Sequence, residues 1–388
     1  MITIAEATST ETSTLKAAQK ALEGVERKLL GARADLAFLF ISHQHAPELE
    51  EAAELISKGL NARHLIGCTA EAVIGGKVEH EGKPAISLWA AALPMATIRS
   101  SQVLLEETAD GHAFLGIPEI PDGPTTLLLL PEPFSFPTDD FLLRMHEDHP
   151  SLCVIGGMAS AARGPGENRL FLGEQVLVDG AVAVVISGPV RVRPIVSQGC
   201  RPFGKPLVIT KADRNFIREL GGKSALTKLS QEMKELSTEE REMLQRGLNV
   251  GIAIDASKQD HRRGDFLVRN VIGFSREDGS IAVADLVRPG TTIQFHLRDA
   301  ATASEDLEYL LQDARTSGFT PKGALLFSCN GRGKHMFNVP SHDAACFAKE
   351  LGDLPLAGFF AAGEIGPVGG QNFLHGFTAS LALFEEPE

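Results

Sequence analysis

The chain has 388 residues, 43% of them hydrophobic and 22% charged, with a formal net charge of −13. That length gives room for two or three domains with a sizeable core, and the composition excludes a disordered chain. The acidic balance argues against a nucleic-acid or anionic-membrane partner, because both need a cationic surface. Arg191, Arg193 and Arg201 make a local basic candidate, but no aromatic residues interleave with them as base stacking requires. The five cysteines are scattered without a Cys-x-x-Cys pair, so neither a disulfide framework nor a structural zinc site is expected. Met1 to Thr14 lacks a signal pattern, and no apolar run reaches the length of about 18 residues that a membrane span needs. A cytoplasmic, reduced-thiol protein without metal or cofactor follows.

In chain order, a polar leader precedes a helix over 17–31, with apolar residues at helical spacing (Ala21, Leu22, Val25, Leu29, Leu30). The run 37–41 reads as a buried strand, His43 to His45 as a loop, 47–60 as an amphipathic helix, and 85–92 as a strand. His43 and His45 lie two apart but have no carboxylate or cysteine pattern beside them, so no metal is assigned. The same order recurs with a strand at 126–130, a loop, a helix at 139–146 and a strand at 181–186. It recurs again with a strand at 324–328, a loop, a helix at 341–351 capped by Ser341, and a strand at 378–384. Between the last two, 224–246 reads as a charged helical linker. Residues 250–254, 265–273, 281–285 and 291–297 read as antiparallel strands with a hairpin turn at 276–280. A helix at 304–312 starts with Ser304 as its N-cap, and Arg298-Asp299 before it suggests a structural ion pair.

The stretch from Leu356 to Thr378 breaks from an apolar strand into glycines at 358, 363, 366, 369 and 370. Weaker echoes of it occur at 64–76 and 152–160. Residues 67–76, 156–160 and 363–370 are therefore expected at equivalent places in three strand–helix–strand units. The expected fold is α/β (α+β): two fused lobes with mixed, largely antiparallel sheets covered by helices.

Gly67-Cys-Thr-Ala-Glu71, Gly156-Gly157, Gln198-Gly-Cys-Arg-Pro-Phe-Gly204, Phe295-His-Leu-Arg-Asp299, Phe327-Ser-Cys-Asn-Gly-Arg-Gly333 and Gly363-Glu-Ile-Gly-Pro367 together resemble the FIST domain pair. The resemblance runs from about residue 35 onward. It implies a leader and helix over 1–34, a FIST N-terminal domain over 35–230 and a FIST C-terminal domain over 231–388. It also implies a sensory, small-ligand-binding protein of the kind found in bacterial signalling proteins and some eukaryotic F-box proteins. The suggested ligands are amino acids or related metabolites. The chain has no length left for a fused output region, so a separate signalling partner is expected; the oligomeric state stays open.

The site residues follow from the glycine-rich loops. In Cys329-Asn-Gly-Arg-Gly333 the glycines let backbone N–H groups converge on an anion, and Arg332 suits a bidentate carboxylate. The other reading is an arginine that ties down its own loop. The glycine neighbours suggest a loop near the surface, where losing the guanidinium would cost little packing. Glu364 follows Gly363 among small and apolar residues, so it needs a partner or a raised pKa, supplied by a ligand ammonium, Arg332 or His375. Glu71 is its counterpart in the first echo, beside Cys68. Asn372, His375 and Thr378 form either a pocket rim or the hydrogen bonds of an irregular turn. Ligand-binding candidates are thus Cys329, Asn330, Arg332, Gly363, Glu364, Asn372, His375, Thr378, Cys68 and Glu71. A rival reading makes Cys329 with His375 a hydrolase or acyl-transfer pair, and a third makes the glycine motifs a packing scaffold.

Overall fold

The structure, a computed structural model, describes residues 1–108, 111–245, 247–255, 258 and 264–386. It divides into two compact units. The first comprises 1–197, 307–367 and 371–388, and the second 198–306 with 368–370. The expected α+β class in two lobes holds.

The first unit starts with β1 (Thr3–Ser9) and α1 (Thr14–Leu29), followed by β2 (Leu36–Ser42), α2 (Leu49–Leu60) and β3 (His64–Ala70). Residues expected as a polar leader are therefore an edge strand, antiparallel to β6. Its polar side chains misled the reading, because Ile4, Ala5 and Ala7 bury the strand. Next come the short hairpin β4 (Val73–Gly75) and β5 (Val78–His80), then β6 (Ile86–Ala92). The second module follows with β7 (Thr97–Thr108), β8 (Gly111–Leu115), β9 (Thr125–Pro131), α3 (Thr138–Asp148) and β10 (Cys153–Gly157). It ends in the hairpin β11 (Leu170–Leu172) and β12 (Gln175–Leu177) and in β13 (Ala181–Ser187), after which β14 (Arg191–Ser197) leads out.

The second unit is largely β15 (Cys200–Asp213), β16 (Phe216–Leu220), β17 (Lys223–Ser224), α4 (Ala225–Glu232), α5 (Thr238–Gln245), β18 (Leu248–Ala253), β19 (Phe266–Phe274), β20 (Ile281–Val283) and β21 (Thr292–Arg298). Its strands are antiparallel in the order β15-β21-β18-β19-β20-β16-β17, and β15 also pairs with β16, which closes the sheet into a barrel. Closure leaves Ile209, Ile217, Val250, Ile281, Ile293, Phe295 and Leu297 facing one core. The four strands expected after residue 250 are present. Helix α6 (Ala300–Thr316) begins earlier than expected, because Asp299 and not Ser304 supplies the cap: its Oδ1 accepts the Ala301 N–H at 3.0 Å. Asp299 also pairs with Arg201 at 3.1 Å.

The third module is β22 (Gly323–Cys329), α7 (Gly333–Phe337), α8 (His342–Leu351), β23 (Leu356–Ala361), the hairpin β24 (Glu364–Val368) and β25 (Gln371–His375), and β26 (Ala379–Glu385). Each module has one parallel pair, β2–β3, β9–β10 or β22–β23, flanked by an antiparallel strand, β6, β13 or β26. The middle strands β2, β9 and β22 are all-buried, largely apolar runs, as strands covered on both faces must be.

Each hairpin pairs with another module's sheet. The hairpin β4–β5 extends β23, β11–β12 extends β3, and β24 extends β10. This cyclic exchange ties the three modules together. Their inner sheet faces share one core: Phe40 meets Phe359 at 5.0 Å and Trp89 meets Phe384 at 4.9 Å between ring centroids. Each such ring contributes about 1.5–3 kcal/mol by burial. The helices cover the outer faces, with α2 turning Leu49, Ala52, Ala53, Ile56 and Leu60 inward at intervals of three and four.

Candidate functional site

The pairing register fixes which residues are equivalent. Gly67 lies opposite Leu39, Gly156 opposite Leu129 and Gly358 opposite Leu326. A Cβ at these glycines would stand 1.9, 1.9 and 1.8 Å from the facing carbonyl oxygen. Glycine is there because neighbouring backbone leaves no room for a side chain. The three echoes are thus equivalent, but the third counterpart is Gly358 and not Gly363. Glu71 consequently matches Ala362, and Glu364 has a different origin, in the exchanged hairpin.

Two residues beyond each of these glycines, the strand ends converge. The Thr69 N–H donates to Arg169 O, Met158 N–H to Gly363 O and Phe360 N–H to Ala72 O, at 2.9 Å each. A second set joins Ser160 N–H to Thr69 O (3.2 Å) and Ala362 N–H to Met158 O (3.1 Å). At the third place the Ser160 hydroxyl bridges instead, accepting the Glu71 N–H at 2.9 Å and donating to Phe360 O. A ring of hydrogen bonds therefore closes around a pseudo-threefold axis at the carboxyl ends of the parallel strands. Such ends are where α/β sheets place ligands.

Three residues after those leucines, at the carboxyl ends of β2, β9 and β22, stand Ser42, Glu132 and Cys329. Each faces the residue just before β6, β13 or β26, and Ala85, Gly180 or Thr378 there presents an N–H. Hydroxyls accept it in the first two modules: Ser42 Oγ from Ala85 at 2.8 Å and Ser135 Oγ from Gly180 at 3.0 Å. In the third, Glu364 Oε2 accepts from Thr378 at 3.1 Å. Glu364 pairs opposite Gly157, as Leu170 does opposite Cys68 and Val73 opposite Phe359. The other two modules thus put apolar core side chains where the third puts a carboxyl.

Glu364 is fully buried, and its Oε1 has no hydrogen-bond acceptor or donor geometry with any described residue. Beside it lies the Cys329 thiol. Burial pushes the Glu364 carboxyl up to about 8, although the Thr378 amide, the thiol and the Arg332 charge oppose the shift. Burial and then the Glu364 charge push the Cys329 thiol up, against the amides of Gly331 and Phe377. The Gly331 N–H lies 3.4 Å from the sulfur.

Arg332 corrects the expectation of a surface loop. It is fully buried, with Nε 2.8 Å from Asp343 Oδ2 and Nη2 2.8 Å from Oδ1. Its Nη1 donates to Phe377 O at 3.3 Å, and its guanidinium lies over the Phe337 ring, 5.1 Å from the centroid. Asp343 also accepts from Ser328 Oγ (2.8 Å) and pairs with His342 (2.9 Å). Burial alone would raise the Asp343 carboxyl, but Arg332 and His342 hold it well below the usual carboxylate range. Arg332 thus ties down its own loop, and its fork is already occupied by a protein carboxylate. Removing the guanidinium here costs packing and charge pairing.

Helix α8 is capped by a distant residue. Ser341 has φ 59° and makes no side-chain cap; Glu79 Oε1 instead accepts the N–H groups of Asp343 (2.8 Å) and Ala344 (3.0 Å). Burial, then the Asp343 charge, raises the Glu79 carboxyl.

The structure therefore brings Cys329, Asn330, Arg332, Gly363, Glu364 and Thr378 to the end of the third module. Asn330 is half-buried, with its N–H on Ala361 O at 3.0 Å. Asn372 and His375 lie on β25. Asn372 accepts from Val154 N–H (2.9 Å) and donates to Leu152 O (2.7 Å), while His375 Nε2 is 2.9 Å from Gly366 O. Cys68 sits in the shared core, where burial raises its thiol. Glu71 is exposed, 3.6 Å from His43. Four contributors escaped the sequence reading: Asp343, Ser328, Phe377 and Glu79. An acid in the first turn of the helix after the glycine loop was the available signal for Asp343.

These features define a two-unit α+β protein whose candidate site lies at the strand ends of one of three equivalent modules. The FIST N domain model matches residues 35–223 and the FIST C domain model residues 225–367, so the chain belongs to the FIST family. FIST domains are consistent with a sensory or signalling role. The uncharacterized protein Rv0628c of Mycobacterium tuberculosis is 39% identical over 377 residues, covering 97% of this chain and 98% of that protein. The uncharacterized protein Mb0898c of Mycobacterium bovis is 40% identical over 371 residues, 95% of each. Among the described residues, no helix is long and apolar enough to cross a membrane.

Proposed function

We propose that the protein is a cytoplasmic sensory protein that binds a small metabolite, an amino acid or a related compound, at the end of the third module. It signals through a separate protein partner and uses neither nucleic acid nor a membrane. The observation that supports this reading is Glu364. The fold accepts Val73 and Leu170 at the equivalent positions, and one amide acceptor is all the local structure needs. Glu364 nevertheless keeps a second carboxyl oxygen buried with no stronger partner among the described residues than the adjacent Cys329 thiol. An unsatisfied buried oxygen costs about 1–3 kcal/mol, and a ligand ammonium or amide N–H would remove that cost. Buried carboxyls with raised pKa values cluster at functional sites for this reason.

The test is a metabolite-library thermal shift on the wild type and on Glu364→Gln. The reading expects at least one amino-acid-like compound to raise the wild-type melting point and to lose most of that effect in the variant. A library that shifts neither protein counts against it. The thiol beside the carboxyl favours a second reading, Cys-dependent acyl transfer, in which Glu364 takes the Cys329 proton; turnover of activated esters that Cys329→Ser abolishes would select it.

A further inference from the structure

The Cys329–Glu364 pair is covered by one short turn, Gly376-Phe377-Thr378, and the backbone of that turn is unusual. Phe377 has φ 61°, in the left-handed region. A bulky side chain there is an outlier, because Cβ crowds the neighbouring carbonyl. At the equivalent turns of the other two modules stand Pro84 and Asp179, and neither has a positive φ. The second module's turn takes a left-handed φ one residue later, at Gly180 (74°), where glycine carries no strain; the third places it on a bulky side chain.

What holds Phe377 in place is visible. Its ring lies on Gly331, where a Cβ would approach the ring to 2.2 Å, so only glycine lets the ring settle. Its carbonyl accepts from Arg332 Nη1 at 3.3 Å. Arg332 is itself clamped by Asp343, and Asp343 stands at the start of α8, whose amides Glu79 holds. Directly after it, Thr378 presents its N–H to Glu364 and its carbonyl to the Cys329 N–H at 3.0 Å. The turn thus covers the two groups that the proposed ligand must reach, and both are buried beneath it. Strained residues persist where the surroundings over-determine them, and they concentrate at switches.

We infer that Gly376–Phe377 is a gate over the Cys329–Glu364 site, closed in this structure by the seat on Gly331 and by the Arg332 latch, and opened by local release of the strained turn. This rests on the reading of that site as the ligand site. When the gate opens, Phe377 relaxes to an extended backbone, the ring leaves Gly331, and the carboxyl and thiol meet solvent or ligand. The latch runs from the turn to the start of α8, so opening is felt at that helix.

The gate is tested without any ligand, by the rate at which iodoacetamide labels Cys329 in the folded protein, read by peptide mass spectrometry. In the wild type, a gate gives a labelling rate that stays flat at low urea before rising with global unfolding. Phe377→Gly removes the ring and suits the positive φ; it should label at least tenfold faster than wild type with an unchanged or higher melting point. Gly331→Ala displaces the ring and should also label faster. The buried Cys68 is the internal control and stays unlabelled in both variants. A wild-type rate that follows global unfolding at every urea concentration overturns the gate, and so does a folded Phe377→Gly protein that labels within twofold of wild type. Because labelling needs no metabolite, a failed gate leaves the ligand reading to its own test, and a library without hits does not bear on labelling.

Discussion

Arg332→Ala probes the buried anchor of the site. The substitution leaves Asp343, itself almost inaccessible, with the Ser328 hydroxyl and His342 but without the guanidinium that made two 2.8 Å bonds to it. Removing one member of a buried pair costs about 3–5 kcal/mol, because the remaining charge has no water to turn to. At roughly 2–4 °C per kcal/mol for a unit of this size, the melting point should fall by roughly 6–20 °C at pH 7.5. The pH dependence follows from the sign of the shift. In the wild type Asp343 is depressed, so its contribution is present above the unfolded carboxylate pKa and is lost only as pH falls through the lower folded value. Without Arg332, burial raises the same carboxyl above its unfolded value, so the variant gains relative stability as pH falls and the folded state takes up a proton. The deficit should therefore shrink from pH 7.5 to pH 5. Differential scanning calorimetry at the two pH values measures both effects. A fall of less than about 3 °C at pH 7.5 would show that the pair does not carry the loop and would refute the reasoning.

Two further outcomes follow. Alanine at Gly67, Gly156 or Gly358 places a methyl group under 2 Å from a strand carbonyl, so each should lower the melting point by about 10 °C or more, or abolish soluble expression, and by similar amounts; one variant of near wild-type stability would break the threefold register. Glu364→Gln should gain stability over the wild type as pH rises from 4.5 to about 8, since a raised carboxyl contributes below its unfolded pKa and loses that contribution through its folded one; a difference that is flat with pH would mean that the carboxyl is not held up by burial.

Local pattern made the modules legible, and non-local pairing hid how they join. The strand–helix–strand order was readable because β2, β9 and β22 are unbroken apolar runs followed by amphipathic helices. The hairpin exchange was not, because β24 meets β10 across more than 200 residues of chain, and no residue type encodes that choice. The third echo reads five residues late for a related reason. Gly363, Gly366, Gly369 and Gly370 belong to the exchanged hairpin and its turn, where they outnumber the single strand glycine, Gly358, that the register needs. Glycines at 369 and 370 adopt φ 59° and 84°, as a tight turn asks, so their density marks a turn and not the close strand approach. At the site, Glu364 was legible as a buried acid among small residues. Arg332 was misjudged because glycines on either side look like a surface loop. Its partner Asp343 lies eleven residues on, and α7 between them folds the two together. Strand β1 is masked by its threonines, serine and glutamate, although Ile4 to Ala7 are all buried on this edge.

The measurement closest to the central claim is calorimetric titration of the strongest library compound into wild-type protein and Glu364→Gln at pH 7.5. The account predicts one site in the wild type and affinity at least about tenfold weaker in the variant, a loss of about 1.4 kcal/mol, with the variant still folded. Equal affinity for the two proteins would place the ligand elsewhere and contradict the account.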